Sequence, residues 1–384
     1  MVLDYNTISY KKKTELQRQD RINNLLNLLP SFCSAYELNL RQTAVIKTRM
    51  EYLQDIYTFF RFLKLKNPSI VDIKEDITTD LLEKLNGFDF DEYSTWLIDY
   101  KFDPNDETEE LKHNSNVTRK RKFASIKSLF HFLYTREYIS CNPSEKAVVP
   151  RVRKKKRNDI RILEDNESEA FLKAIDDEIK TSKERLDKYM ATDKQVPKQV
   201  QMAPFLALRD KAIVYLFLGT GLRVSELCAI DCANISDLGY INVIRKEDSD
   251  EDKTTDKVYI GDEVRSVLYD YIDNARDNIG PGLDNYDALF LSSKHERITT
   301  RGVELMIKKY ADRSLGKDNG ITPHKLRATF GTKLYAATKD LSLTSVAMNH
   351  SSIEVTASYY LQEDRNAKEK AGAVMDEILG GYNK

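Results

Sequence analysis

Apolar positions in the first third of the chain fall three and four residues apart. In RMEYLQDIYTFFRFLKLK, Met50, Leu53, Ile56, Tyr57, Phe60 and Leu63 make one stripe along a helix. KRKFASIKSLFHFLYTREYI repeats the stripe with Phe123, Ile126, Leu129, Phe130 and Leu133, and lysine and arginine stand ahead of it. The pattern predicts a helical domain with a basic side over residues 41–142, preceded by a helical extension over residues 1–40 that contains KKKTELQRQDRINNLLNLLPSF. Periodicity stops at CNPSEKAVVPRVRKKKRNDI, where Pro143 and Pro150 interrupt any helix and mark a linker at residues 143–160. Beyond it come a helix at NESEAFLKAIDDEI, a polar segment near residues 180–202 with the look of an insertion, and the apolar helix LRDKAIVYLFLGTG. Two alternating runs, YINVIR at 240–245 and KVYI at 257–260, fit a β-hairpin before helices resume. The expected fold is mostly α: a helical N-terminal domain, then a mixed α/β but mainly helical domain over 161–362 with a small sheet, and a tail helix over 363–384.

A chain of 384 residues with 41% hydrophobic content can bury sizeable cores in two or three domains. No run approaches the roughly 18 apolar residues that a membrane span requires. The start, MVLDYNTISYKKK, lacks the apolar core of a secretory signal, so a cytoplasmic protein without a membrane partner is expected. Cys33, Cys141, Cys228 and Cys232 form no CxxC pairs and read as reduced packing residues rather than metal ligands.

Net charge is −1, yet its distribution is uneven. Residues 111–160 hold 14 Lys/Arg against 3 Asp/Glu, a local balance of +11. The charge concentrates at Arg119, Lys120, Arg121 and Lys122, and again at Arg151, Arg153, Lys154, Lys155, Lys156 and Arg157. A compact basic region in a neutral chain is the footprint of a polyanion.

Three clusters carry candidate chemistry. In GTGLRVSEL, Gly219 and Gly221 punctuate the end of an apolar helix, Arg223 begins the next, and Glu226 sits three residues on, spaced to hold that arginine in one rotamer. In ITPHKLRATFGTKL, Thr322 is a good N-cap and Pro323 a good first residue, which places His324 and Arg327 on one face of the first turns. Leu326, Phe330 and Leu334 make the buried stripe of that helix. In MNHSSIEVTASYY, Ser351 and Glu354 fit a capping box with His350 just outside it. Ile353, Ala357 and Tyr360 then share a face, while Tyr359 is rotated about 100° away, beside Ser352 and Thr356. Two arginines, two histidines and a tyrosine are the set expected for attack by a phenolic oxygen on a phosphodiester.

These three segments resemble, in the same order, the three signature boxes of the tyrosine recombinase, or phage-integrase, family. LFLSSKHERITTRGVELMIKKYA (289–311) is similar to the segment joining the first two boxes, and the basic helical part resembles the family's SAM-like core-binding domain. The resemblance implies that Arg223 and Arg327 hold the scissile phosphate, that His324 takes part in proton transfer, and that His350 adds a hydrogen bond. It implies Tyr359, nine residues after His350, as the nucleophile, and a supporting role for Glu226. It also implies a hairpin lysine as general acid. Lys246 fits that place, but the turn there is KEDSDEDKTTDK rather than a short glycine-rich one, so Lys253 and Lys257 remain candidates. Asn349 stands where the family usually has glycine, and asparagine tolerates left-handed backbone nearly as well.

The family's chemistry implies a 3′-phosphotyrosyl intermediate, strand exchange through a Holliday junction, and no cofactor, metal or ATP. It also implies a homotetramer on DNA, with Ala371, Val374, Met375, Ile378 and Leu379 on one face of an exchanged tail helix, and leaves room for accessory DNA-bending proteins. Two other readings share these residues: a nicking and closing enzyme like a type IB topoisomerase or telomere resolvase, and a non-catalytic DNA-binding protein on the same fold.

Overall fold

The computed structural model describes residues 10–152, 161–192, 195–236, 238–244, 255–280, 282, 287–349 and 375–376. The chain divides into two compact units that change over between residues 154 and 155.

The first unit contains α1 (Tyr10–Asn27), α2 (Phe32–Leu40), α3 (Ile46–Lys66), α4 (Gly87–Trp96) and α5 (Asn116–Thr135). The two predicted stripes lie on α3 and α5. Leu53, Ile56, Phe60 and Leu63 of α3 and all five stripe residues of α5 are buried, while Met50 and Tyr57 are half-buried against them. Each fully buried aliphatic or aromatic side chain contributes about 1.5–3 kcal/mol before entropy is charged against it. Ile22 of α1 and Phe32 and Tyr36 of α2 enter the same core, so residues 10–40 are packed into this unit and not strung ahead of it. A ribbon too short to be heard in the sequence pattern, β1 (Asp99–Tyr100) against β2 (Lys112–His113), closes one end of α4.

The basic run on α5 divides between surface and interior. Asp55 on α3 is 1% exposed and its carboxylate accepts two N–H bonds from Arg121, at 2.6 and 3.0 Å, one from Lys122 at 3.0 Å and the Ser125 hydroxyl at 2.9 Å. A buried carboxylate requires such partners, and removing one would leave a charge uncompensated. The expectation that Lys122 meets DNA is therefore corrected: it is 7% exposed, on the same helical face as Ser125 and Ile126, and serves as an internal counter-ion. Arg121 spends both terminal nitrogens on Asp55, and Arg119 donates to the Ser94 carbonyl at 2.9 Å and to Asn116 Oδ1 at 2.7 Å. Lys120 and Arg151 are exposed. Arg153, Lys154, Lys155, Lys156 and Arg157 lie outside the described residues.

The second unit opens with α6 (Asp165–Met190), started by a capping box between Glu164 and Glu167, and α7 (Lys198–Thr220) packs along it. The supposed insertion near 180–202 is thus mostly helix. Residues 181–190 carry strong helix formers and no glycine or proline, so α6 continues as a largely exposed polar rod after its apolar stripe has ended. Ala212, Ile213, Val214, Leu216 and Phe217 make α7 the centre of the core. After α8 (Val224–Cys228), strands β3 (Ile235–Ser236), β4 (Tyr240–Ile244) and β5 (Thr255–Tyr259) form an antiparallel sheet in that order. The register pairs Tyr240 with Tyr259 and Asn242 with Lys257, and Ile241, Val243 and Val258 point into the core. Helices α9 (Asp262–Tyr271), α10 (Thr300–Leu315), α11 (Pro323–Thr338) and α12 (Leu341–Met348) complete the description. Among the described residues, no helix is long and apolar enough to cross a membrane.

Candidate active site

Helix α7 ends because Gly221 turns left-handed, at φ 63°, with its N–H donating to the Phe217 carbonyl at 3.0 Å. A Cβ at this position would lie 2.4 Å from Phe330 Cδ1 and 3.2 Å from Met348 Sδ. Glycine is needed here for backbone angle and for space at once. Gly221→Ala is expected to cost roughly 2–4 kcal/mol, from positive φ and overpacking together. A urea midpoint for the second unit equal to that of the wild type would contradict this.

The chain leaves Gly221 through buried Leu222 and reaches Arg223, the extended N-cap of α8. Glu226 secures it twice: one carboxylate oxygen accepts the Arg223 backbone N–H at 2.8 Å and the other accepts Nη1 at 2.8 Å. The Glu226 side chain is 4% exposed and that of Arg223 is 40% exposed, so a buried anion fixes the rotamer of an arginine that faces solvent. The spacing argument for this pair is met in the geometry.

Helix α11 starts as its sequence demands. The Thr322 hydroxyl accepts the Lys325 N–H at 3.4 Å and Pro323 fills the first position. Leu326 is fully buried, whereas Phe330 and Leu334 are half-buried. Arg327, at 4% exposure, reaches back to the end of α7, where Nη1 donates to the Gly221 carbonyl at 2.6 Å, and across to the end of α12, where Nη2 donates to the Met348 carbonyl.

At that end Asn349 is left-handed, with φ 44° and ψ 60°, and its own carbonyl accepts Arg223 Nη2 at 3.0 Å. The two arginines therefore sit on the carbonyls of successive residues. Hydrogen bonds join three motifs spread over more than a hundred residues of chain, and the turn they share is the one that leads into His350. Asparagine does take the backbone shape for which glycine is the usual choice. These backbone acceptors leave no mark in a residue pattern; the one hint is the glycine pair before Arg223.

His324 is exposed at the first turn of α11. Partial desolvation, and then the positive charges of Lys325, Arg327 and Arg223, lower its pKa below the ordinary imidazole value. The neutral ring is thus favoured at pH 7. Lys257 lies on β5, exposed, opposite Asn242. Lys246, Lys253, His350, Tyr359 and Tyr360 fall outside the described residues, as does all of the tail except residues 375 and 376.

The model of the Phage integrase family matches residues 188–366. Tyrosine recombinase XerC of Thermodesulfovibrio yellowstonii is 31% identical over 256 residues, covering 65% of this chain and 72% of that protein. Its namesake from Herpetosiphon aurantiacus is 30% identical over 264 residues, or 67% and 73%. Among solved structures, the Tn1549 transposon integrase in complex with transposon right end DNA shares the fold at a TM-score of 0.56 and 17% identity, covering 90% of this chain and 99% of that one. On the family model and these relatives, the chain belongs to the tyrosine recombinase family, also called the phage integrase family.

Proposed function

We propose that this recombinase cuts and rejoins double-stranded DNA at a specific site through a covalent 3′-phosphotyrosyl intermediate, with Tyr359 as nucleophile. The observation that carries the reading is the anchoring of Arg223 and Arg327 on the carbonyls of Asn349 and Met348, at the turn that leads into His350. Guanidinium groups so held offer donors to the two non-bridging oxygens of a phosphate, where charge must be stabilised in the transition state. Tyr359 gives up its proton as its oxygen bonds to phosphorus, and neutral His324 takes part in that transfer. The bond from phosphorus to the 5′-oxygen breaks, and a lysine supplies the proton that the leaving oxygen needs. Lys246 holds that role in our reading, with Lys253 and Lys257 as alternatives. A 5′-hydroxyl from the partner duplex then displaces the tyrosine, so the phosphodiester is restored without an external energy source. His350 adds a hydrogen bond to the phosphate throughout.

Binding is assigned to the exposed cations Lys120 and Arg151 and to the linker run Arg153, Lys154, Lys155, Lys156 and Arg157. Phosphate contacts of this kind make affinity fall steeply with salt. A homotetramer assembled by exchange of the tail helix completes the reading. Its support is the sequence pattern that would set Ala371, Val374, Met375, Ile378 and Leu379 on one face of a helix.

The test is a nicked suicide duplex taken from the flanks of the protein's own gene, scored for a covalent protein–DNA band. A band resistant to denaturant supports the reading, and its absence on every flank overturns it. The same assay gives a pH profile. Because the His324 pKa is lowered, the neutral ring persists as pH falls, and the acid limb of the cleavage rate is expected below the ordinary imidazole value of about 6.5. Lys325→Gln removes one of the positive charges that depress the pKa and moves that limb to higher pH. A limb that stays in place would detach His324 from the titration.

A further inference from the structure

The second unit is described from Arg161 onward, and within three residues the chain is fastened to the helix that bears His324 and Arg327. Leu163, fully buried, donates its backbone N–H to the Thr329 hydroxyl at 2.9 Å. Thr329 is itself 0% exposed, and its hydroxyl donates to the Lys325 carbonyl at 2.9 Å, one turn back on α11. A hydroxyl has one donor and two acceptor sites, so a single oxygen satisfies both bonds. Lys325 lies between His324 and Arg327 in sequence, so the relay ends inside the turn that presents both.

Further ties surround this one. Arg161 Nε donates to the Asn319 carbonyl at 3.1 Å, just ahead of α11, while its terminal nitrogens pair with Glu167 at 2.7 and 2.6 Å. Lys333, one turn beyond Thr329, meets Ser168 at 3.0 Å and Asp165 at 2.8 Å. Those links are partly buried, as is the bond from Thr329 to the Lys325 carbonyl. The bond from Leu163 to Thr329 is buried, where water does not readily replace it.

We propose that Thr329 is a positioning residue for strand cleavage: its hydroxyl couples the chain entering the second unit to the turn of α11 that carries His324 and Arg327. The inference rests on the cleavage reading above. A threonine inside a helix ordinarily bonds only to the carbonyl a turn back, which bends the helix slightly and defines no partner outside it. Here the same oxygen also accepts from a distant backbone N–H, so this turn of α11 is tied to residues 161–163. Loss of the hydroxyl leaves the Leu163 N–H without this partner and frees the first turn to shift, and displacements of about an ångström at reacting groups cost on the order of 100-fold in rate.

Thr329→Val keeps the shape and removes the hydroxyl; Thr329→Ser keeps the hydroxyl. Thr329→Cys, with a weaker acceptor of similar volume, is carried as a variant that folds if valine does not. Single-turnover cleavage of the suicide duplex, DNA affinity at fixed salt, and amide exchange over residues 161–163 and 322–328 are measured together. Thr329→Val is expected to cleave about 10- to 100-fold more slowly with affinity within about threefold of wild type. Serine is expected to restore the rate, and cysteine to fall between. Exchange over both segments should rise for valine and not for serine. Cleavage by valine at the wild-type rate, a serine variant as slow as valine, or parallel loss of affinity and rate would each overturn the inference. If wild type itself forms no covalent complex, the cleavage reading falls separately. Exchange then decides the coupling: a rise over 322–328 in valine alone supports it, and unchanged exchange overturns it.

Discussion

Arg327→Lys is expected to slow cleavage of a suicide duplex by about 10²–10³-fold while leaving DNA affinity within a few-fold. Arg327 acts twice. Its fork spans two carbonyls, Gly221 at the end of α7 and Met348 at the end of α12, and so holds together the two chain ends that frame the site. A lysine ammonium is a point donor on a flexible stem and cannot bridge both in the same plane. Because Arg327 is 4% exposed, loss of one bond also leaves a buried carbonyl short of a partner, at about 1–3 kcal/mol. Arg223→Lys provides the contrast. The Arg223 side chain is 40% exposed, so its replacement is expected to slow cleavage comparably with little change in the unfolding midpoint. If Arg327→Lys cleaves within tenfold of wild type, the assignment of Arg327 to the transition state fails. If both variants lose stability equally, the distinction between buried brace and solvent-facing donor fails instead.

The difference between those two arginines was not legible in the sequence. Spacing placed Arg223 beside Glu226, and Arg327 on the face of His324, because helical neighbours three residues apart follow from geometry alone. Their convergence depends on Gly221, Met348 and Asn349 offering backbone carbonyls, and a carbonyl is common to every residue. The stripes of α3 and α5 were readable for the opposite reason: burial of Leu53, Phe60, Phe123 and Phe130 is written in side-chain type and period. Charge was read less well. Lys122 looked like its neighbours in the basic run, but Asp55, far away in the chain, turned it inward, and only a tertiary partner can separate a buried cation from a surface one. The polar continuation of α6 leaves little mark in the sequence because periodicity reports burial, and an exposed rod of helix formers has little to report. Nothing in the sequence pattern marks Thr329, because its partner, Leu163, comes from another segment.

Tyr359→Phe is expected to abolish the covalent protein–DNA band, a loss of more than about 10⁴-fold, while Tyr360→Phe forms it at close to the wild-type rate. The first reason is chemical. Phenylalanine removes the oxygen that becomes bonded to phosphorus and changes almost nothing else, so DNA affinity and its salt slope, which depend on phosphate contacts, should be unaltered. The second reason is register. If a helix begins at the Ser351 and Glu354 capping box, Ile353, Ala357 and Tyr360 fall on its apolar face, and Tyr359 stands about 100° away with Ser352 and Thr356. A nucleophile must reach a charged phosphate, and a tyrosine in the apolar stripe would first have to leave its core. The resemblance to the family, whose nucleophile follows this histidine by nine residues, implies the same residue by an independent route. A nicked substrate sharpens the comparison, because the short 5′-fragment diffuses away and religation cannot hide a slow first step. Loss of the band in Tyr360→Phe with its survival in Tyr359→Phe would shift the helix by one residue and exchange the two roles. Survival in both single variants would move the nucleophile to another residue, and absence of the band from the wild type itself would return the protein to a DNA-binding role on a recombinase fold.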